Sequence, residues 1–152
     1  MNVIATNRKA RHDYHILQTI EAGIVLTGTE VKSLRSGRAN LKDSFARIEN
    51  GELILHNVHI SPYEQGNRYN PDPRRKRKLL LHSTEIRRLG GKVQEKGLTL
   101  VPLTLYFRNG IAKVELALVR GKREYDKRKS IAERDAQRDM ERDVKERYDR
   151  YE

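Results

Sequence analysis

The sequence predicts a mainly β protein with short α-helices. Its strands are expected to close into an antiparallel barrel of about six, followed by a charged tail. Three observations carry that expectation. Asn50-Gly51 and Asn109-Gly110 each sit between strand-like apolar runs, the strongest short-range hairpin signal. About two segments carry helical caps and spacing, too few for a helical fold. The composition also changes at Gly121, beyond which most residues are charged or small.

Taken in order, Asn7-Arg8-Lys9-Ala10-Arg11-His12-Asp13-Tyr14 opens with a capping residue and reads as one turn of helix feeding a strand. Its bases, beside a histidine and a tyrosine, suit a phosphate backbone with a base to stack on, and equally suit a solvated leader. From His15 to Leu26, Ile16, Leu17, Ile20, Ile24, Val25 and Leu26 predict two strands, or one bent by a bulge at Gly23. Thr29 to Gly37 reads as a short helix capped by Thr29, with Glu30 at the positive end of its dipole. Val31 and Leu34 face inward there, and Lys32 and Arg35 form a basic pair on another face.

Ser44–Glu49 and Glu52–Ile60 flank the first Asn-Gly turn, with a bulge or twist expected near His56-Asn57, where the apolar phase changes. Ser61 to Lys78 is a long irregular loop ending in five consecutive bases, Arg74-Arg75-Lys76-Arg77-Lys78, which read as a phosphate-binding run. Ser83 is expected to cap a helix whose inner stripe is Ile86, Leu89 and Val93. Gly90-Gly91 weakens that helix, as a close approach would require, and Gly97 ends it. Leu98–Phe107 and Ile111–Val119 form the clearest hairpin, with a bulge at Pro102, which cannot donate to a ladder. Leu103, Leu105 and Phe107 are placed inside with Ala112, Val114, Leu116 and Leu118, while Lys113 and Glu115 face out. Short strands in hairpins with a few helices suggest a barrel like the oligonucleotide-binding fold.

Residues 1–121 are thus expected to form the body, and residues 122–152 a tail. The apolar positions Ala132, Ala136, Met140, Val144 and Tyr148 recur every four residues. Such a stripe drifts about 40° per step, unlike a heptad seam, so a coiled-coil dimer is disfavoured and a monomer expected. With so thin a stripe, the tail is expected to be disordered when free and helical when bound.

Lys and Arg number 32 against 21 acids, a formal charge of +11. The tail holds 11 bases and 10 acids, so the body carries 21 against 11 and most of the excess. A concentrated positive body points to a polyanion, foremost nucleic acid. The chain has no cysteine, no secretory leader pattern and no membrane-length apolar run, which fits a cytoplasmic protein without membrane contact. His56 and His59 fall on opposite faces of a strand, a poor metal site, and no nucleotide-binding glycine loop or nucleophile elbow is present. No metal, cofactor or catalytic residue is expected. A ribosomal or general RNA-binding protein, and a histidine-dependent nuclease, are the competing readings.

Several motifs together carry a resemblance. Asn7 to Tyr14, Glu21-Ala22-Gly23, Gly28-Thr29-Glu30-Val31-Lys32-Ser33-Leu34-Arg35, Arg77-Lys78-Leu79-Leu80-Leu81 and Gly121-Lys122-Arg123-Glu124-Tyr125-Asp126-Lys127-Arg128 resemble the small protein B family of bacterial SsrA-binding (tmRNA-binding) proteins. The resemblance implies binding to the tRNA-like part of tmRNA and delivery, with elongation factor Tu, to ribosomes stalled on truncated messages. It implies that the tail enters the decoding centre of 16S rRNA and the empty mRNA channel, so that the nascent peptide is tagged and the ribosome rescued. Asn7, Glu21, Leu80 and Lys113 match the family's tmRNA-binding positions. The basic neighbours Arg8, Lys9, Arg11, Lys32, Arg35, Arg77 and Lys78, with His12, are expected to join them. Tyr125 would present a ring to a decoding-centre base, with Lys122, Arg123, Lys127 and Arg128 near ribosomal phosphate. Residues 131–152 carry six bases and eight acids, a departure from the basic tails of the family, so no contact is assigned beyond Arg128.

Overall fold

The computed structural model describes residues 1–64 and 70–122, together with residues 134, 135 and 138. In chain order the elements are β1 (Asn2–Thr6), α1 (Arg8–Asp13), β2 (Tyr14–Ile24), α2 (Gly28–Arg35), β3 (Ala39–Asn40), β4 (Phe45–Glu49), β5 (Glu52–His56), β6 (His59–Ile60), β7 (Arg77–Leu80), α3 (Ser83–Lys96), β8 (Thr99–Arg108) and β9 (Ile111–Gly121). The chain divides into two units, Met1–Gly121 and Lys122–Glu152. In the second, Arg134, Asp135 and Arg138 are helical and exposed.

Antiparallel pairing runs β8–β4–β5–β7–β2–β9 and closes through β9–β8, giving a ring of six strands. One edge of β8 serves two partners: Leu100 lies opposite Ala46 of β4, while Thr104 to Phe107 lie opposite Thr6 to Asn2 of β1. Its other edge pairs with β9 throughout. The two hairpin turns place Asn50, Gly51, Asn109 and Gly110 all at positive φ. That is the backbone of the turn whose twist matches the flanking strands, and it explains both Asn-Gly pairs.

Ala22, Ile24, Leu53, Leu55, Leu79, Leu100, Leu105, Val114, Leu116 and Leu118 fill the ring, with Leu34 of α2 and Ile86 and Leu89 of α3 joining them. A second, smaller cluster of Val101, Leu103, Ala117 and Val119 lies under Ala10 of α1. Leu103, expected with the main core, belongs to this cluster because the register slips between Pro102 and Thr104. Asn7 binds two carbonyls at this slip. Its backbone N–H donates to Leu103 O at 2.8 Å, and its side-chain Nδ2 donates to Pro102 O at 2.9 Å.

Four local expectations are corrected. The irregularity in β2 lies between Ile16 and Gln18 rather than at Gly23, which pairs in regular register. The α2 cap is Thr27, because only that choice puts Glu30 at the third helical position and completes a reciprocal capping box. Near His56-Asn57 the chain leaves the sheet outright: Asn57 takes φ 67°, and β6 pairs with β3 in a separate two-stranded sheet. Ser83 is the first residue of α3, whose cap position is His82 without a side-chain bond. The close approach expected at Gly90-Gly91 is real, since a Cβ on Gly90 would stand 3.0 Å from Ile48 Cδ1 of β4.

Candidate nucleic-acid interface

Strand alternation builds the site. In β7, β2 and β9 the residues between the buried positions point outward, and register aligns them with Tyr106 of β8 and Val3 of β1 into a row across five strands. Leu80 lies opposite Gly23, Gly23 opposite Lys113, Lys113 opposite Tyr106, and Tyr106 opposite Val3. Leu80 and Val3 are 52% and 47% exposed, large apolar side chains kept in solvent on a body rich in cations. The missing side chain at Gly23 lets Leu80 lean across β2, since a Cβ there would meet Leu80 Cβ at 3.3 Å. Lys78 shares this outward phase, two residues before Leu80, and reaches Glu52 at 3.4 Å. The Lys113 side chain has no hydrogen bond or ion pair among the described residues.

The next row sets Glu21 of β2 opposite Glu115 of β9, and Glu115 opposite Thr104 of β8. Glu21 Oε2 accepts from the Tyr106 hydroxyl and forms an ion pair with Arg108 Nη1 at 2.9 Å, so these side chains bridge over β9. The Arg108 guanidinium also lies 5.6 Å from the Tyr106 ring centre. Burial, and after it the hydrogen bond and charge of Glu21, push the Tyr106 phenol up to about 12, so it remains a neutral donor. Glu115 instead accepts from Arg11 at 3.3 Å and from the Thr104 hydroxyl at 3.5 Å. One face therefore brings together Arg11, Glu21, Lys78, Leu80 and Lys113 of the residues expected from sequence.

Other expected contacts have different roles. Asn7 is buried; beyond its bonds to the β8 bulge it accepts from Ala10 N at 3.1 Å and donates to Leu41 O at 3.3 Å. It fastens the start of α1 to the barrel and offers no free polar group to RNA. Arg77 is corrected outright. It is 1% exposed, and donates to Glu30 Oε2 at 2.6 Å, to Val58 O at 2.7 Å and to Pro73 O at 3.0 Å. The five-base run is split by strand alternation: Arg74, Lys76 and Lys78 are exposed, Arg77 points into the core, and Arg75 joins it on Glu30. Glu30 itself is 3% exposed. Burial alone would raise its carboxyl, but the bond from Arg75, the Thr27 N–H and Arg77 together hold it below its ordinary value.

Arg8 and Lys9 are exposed on α1, with Lys9 3.3 Å from Asp43; His12 Nδ1 lies 2.8 Å from Asp13. Lys32 and Arg35 are exposed on α2, where the Lys32 ammonium sits 5.5 Å from the centre of the Tyr63 ring. A groove of about 990 Å³ lies elsewhere, between α1 and α3, and is lined by Lys9, Phe45, Arg87 and Gly91 rather than by Glu21, Leu80 or Lys113. His56 is held by Glu49 at 2.7 Å and stacked on Phe45 at 4.9 Å. Lys122 is half-buried. Arg123, Tyr125, Lys127 and Arg128 lie outside the described residues.

Sequence reading missed Tyr106 and Arg108. Both were available from period-two alternation, because Tyr106 and Arg108 flank the inward Phe107 in phase with Thr104.

Comparison with known proteins agrees with this architecture. The family model described as SmpB protein matches residues 4–146. The SsrA-binding protein of Moorella thermoacetica is 69% identical over 148 residues, covering 97% of this chain and 96% of the relative. That of Carboxydothermus hydrogenoformans is 66% identical, covering 96% and 98%. A chain of a solved structure described as "tmRNA-SmpB: a journey to the center of the bacterial ribosome" superposes with a TM-score of 0.68 at 59% identity, covering 86% of this chain and 95% of that one. With a family match over almost its whole length and relatives far above the threshold of chance, this chain belongs to the SmpB protein family.

Proposed function

We propose that this protein binds tmRNA (SsrA RNA) and serves trans-translation, the rescue of stalled ribosomes with tagging of the nascent peptide. The observation that carries this is the family match over residues 4–146, which takes in the barrel and most of the tail. Relatives of this length and similarity are SsrA-binding proteins, and the structural neighbour is described with tmRNA and the bacterial ribosome.

On this proposal the tRNA-like domain of tmRNA lies on the outer face of β7, β2 and β9. Leu80 supplies apolar area for a base or sugar, Lys113 and Lys78 face phosphate, and Arg8, Lys9 and Arg11 extend the positive surface from α1. Asn7 and Arg77 act from inside, fixing α1 and β7 in place. Residues 122–152 form a tail that is disordered when free and becomes helical in the decoding centre and mRNA channel, with Tyr125 stacking on a base and Lys122, Arg123, Lys127 and Arg128 near phosphate. Elongation factor Tu accompanies the delivery complex. The protein acts as a cytoplasmic monomer, without cofactor and without catalysis of its own.

The test is a competition. The tRNA-like domain of tmRNA, an unrelated tRNA and a ribosomal RNA fragment are titrated at one stated salt concentration, since phosphate contacts make affinity steeply salt-dependent. The expected result is at least tenfold preference for tmRNA. Equal affinity for all three would instead identify a general RNA-binding protein.

A further inference from the structure

Arg108 is a cation of the outer face that the functional reading above leaves unassigned. It follows the inward Phe107, so alternation turns it outward, at the end of the β8–β9 hairpin opposite the exposed Ile111. A lone arginine in such a place samples many rotamers, and fixing it on a ligand costs side-chain entropy. Here it is already fixed. One terminal nitrogen forms an ion pair with Glu21 Oε2 at 2.9 Å, the guanidinium packs against the Tyr106 ring, and the other terminal nitrogen lies 4.0 Å from Met1 Sδ. Half of the side chain remains in solvent, at 51% exposure, and a guanidinium carries five N–H donors, so donors remain for a second anion.

Glu21 needs an explanation on a face meant for a polyanion, because its own charge repels phosphate. Its carboxylate already accepts from Tyr106 and is paired with Arg108, and its position opposite Glu115 makes a free carboxylate there costlier still. Tyr106 is buried and offers no ring face for stacking, so its hydroxyl serves Glu21.

We propose that Arg108 contacts an RNA phosphate beside Lys113, and that Glu21 and Tyr106 are positioning residues that hold its guanidinium across β9. This rests on the RNA-binding reading of the face and extends it to a residue that neither motif nor charge run marks.

The experiment measures binding of the full-length chain to a transcript of the tmRNA tRNA-like domain across a monovalent salt series, with thermal unfolding of each variant as control. Arg108→Ala is expected to weaken binding roughly tenfold and to lower the slope of log affinity against log salt by about one phosphate contact. Arg108→Lys keeps that slope while losing part of the affinity, because it keeps the charge and loses the planar fork. Tyr106→Phe weakens binding by about two- to fivefold with the slope unchanged, since the cation remains but is less well held. Wild-type slope and affinity in Arg108→Ala would overturn the phosphate contact; wild-type binding in Tyr106→Phe would overturn the positioning role. An unrelated tRNA bound as tightly as the transcript would contradict the tmRNA reading alone, because the Arg108 comparison stands on either RNA. Loss of binding to every RNA tested, in the wild type, would overturn both.

Discussion

Glu21 and Glu115 are direct cross-strand partners, yet their carboxylates turn to different cations, Glu21 to Arg108 and Glu115 to Arg11. Like charges opposite one another destabilise a sheet by a few tenths to about 1 kcal/mol, and each glutamate escapes that by bridging to a different neighbouring element. Removing Arg108 should therefore cost about 0.5–1 kcal/mol in urea unfolding, and most of that should return when Glu115→Gln is added. A double variant no more stable than Arg108→Ala alone would show that the two carboxylates do not interact.

The Glu30, Arg75 and Arg77 cluster is of another kind, because two of its members are buried. Glu30→Gln leaves the Arg77 charge inside without its anion, a change that costs about 3–5 kcal/mol for buried pairs. The sign of its pH dependence follows from the lowered carboxyl. Stability from Glu30 is complete above its unfolded-state value and is lost as pH falls through the lower folded value. Denaturant titrations from neutral to acid pH should show Glu30→Gln less stable at neutrality and flatter toward acid. Parallel curves for variant and wild type would remove the clamp.

Asn7→Ala separates a structural role from a contact. It deletes an N-cap bond and leaves two carbonyls, Leu41 O and Pro102 O, without their donor. A loss of about 1.5–3 kcal/mol is expected, with tmRNA affinity of the folded protein within about threefold of wild type. A large affinity loss at unchanged stability would return Asn7 to the RNA surface.

Gly91 sits within α3, and a Cβ there meets nothing within 4 Å. Gly91→Ala should stabilise the barrel by about 0.5–1 kcal/mol, read as a higher denaturation midpoint. Gly90→Ala should gain less, because its Cβ would press on Ile48.

How far the chain could be read in advance depended on how local each signal was. The Asn-Gly turns and the Pro102 bulge were legible because the backbone conformation belongs to the residues themselves. Thr27 and Thr29 are both capable caps, and only the third-position spacing to Glu30 decides between them. Arg77 was misplaced because five adjacent bases read as one phosphate-binding run, whereas the strand they enter alternates and carries every second residue inward with Leu79. The cluster under α1 was hinted at by the unbroken run Leu116-Ala117-Leu118-Val119, the pattern of a strand covered on both faces. The Glu21 bridge was not legible, since it spans three strands whose neighbours are fixed only by closure of the ring.

The central claim is that the barrel binds tmRNA while the tail makes that binding useful to the ribosome. Reconstituted translation of a message without a stop codon, supplied with tmRNA and elongation factor Tu, tests it by comparing the full-length chain with one ending at Gly121. Both should bind the tRNA-like domain within about threefold of each other, and only the full-length chain should yield tagged peptide. Tagging by the truncated chain, or loss of tmRNA binding together with tagging, would contradict it.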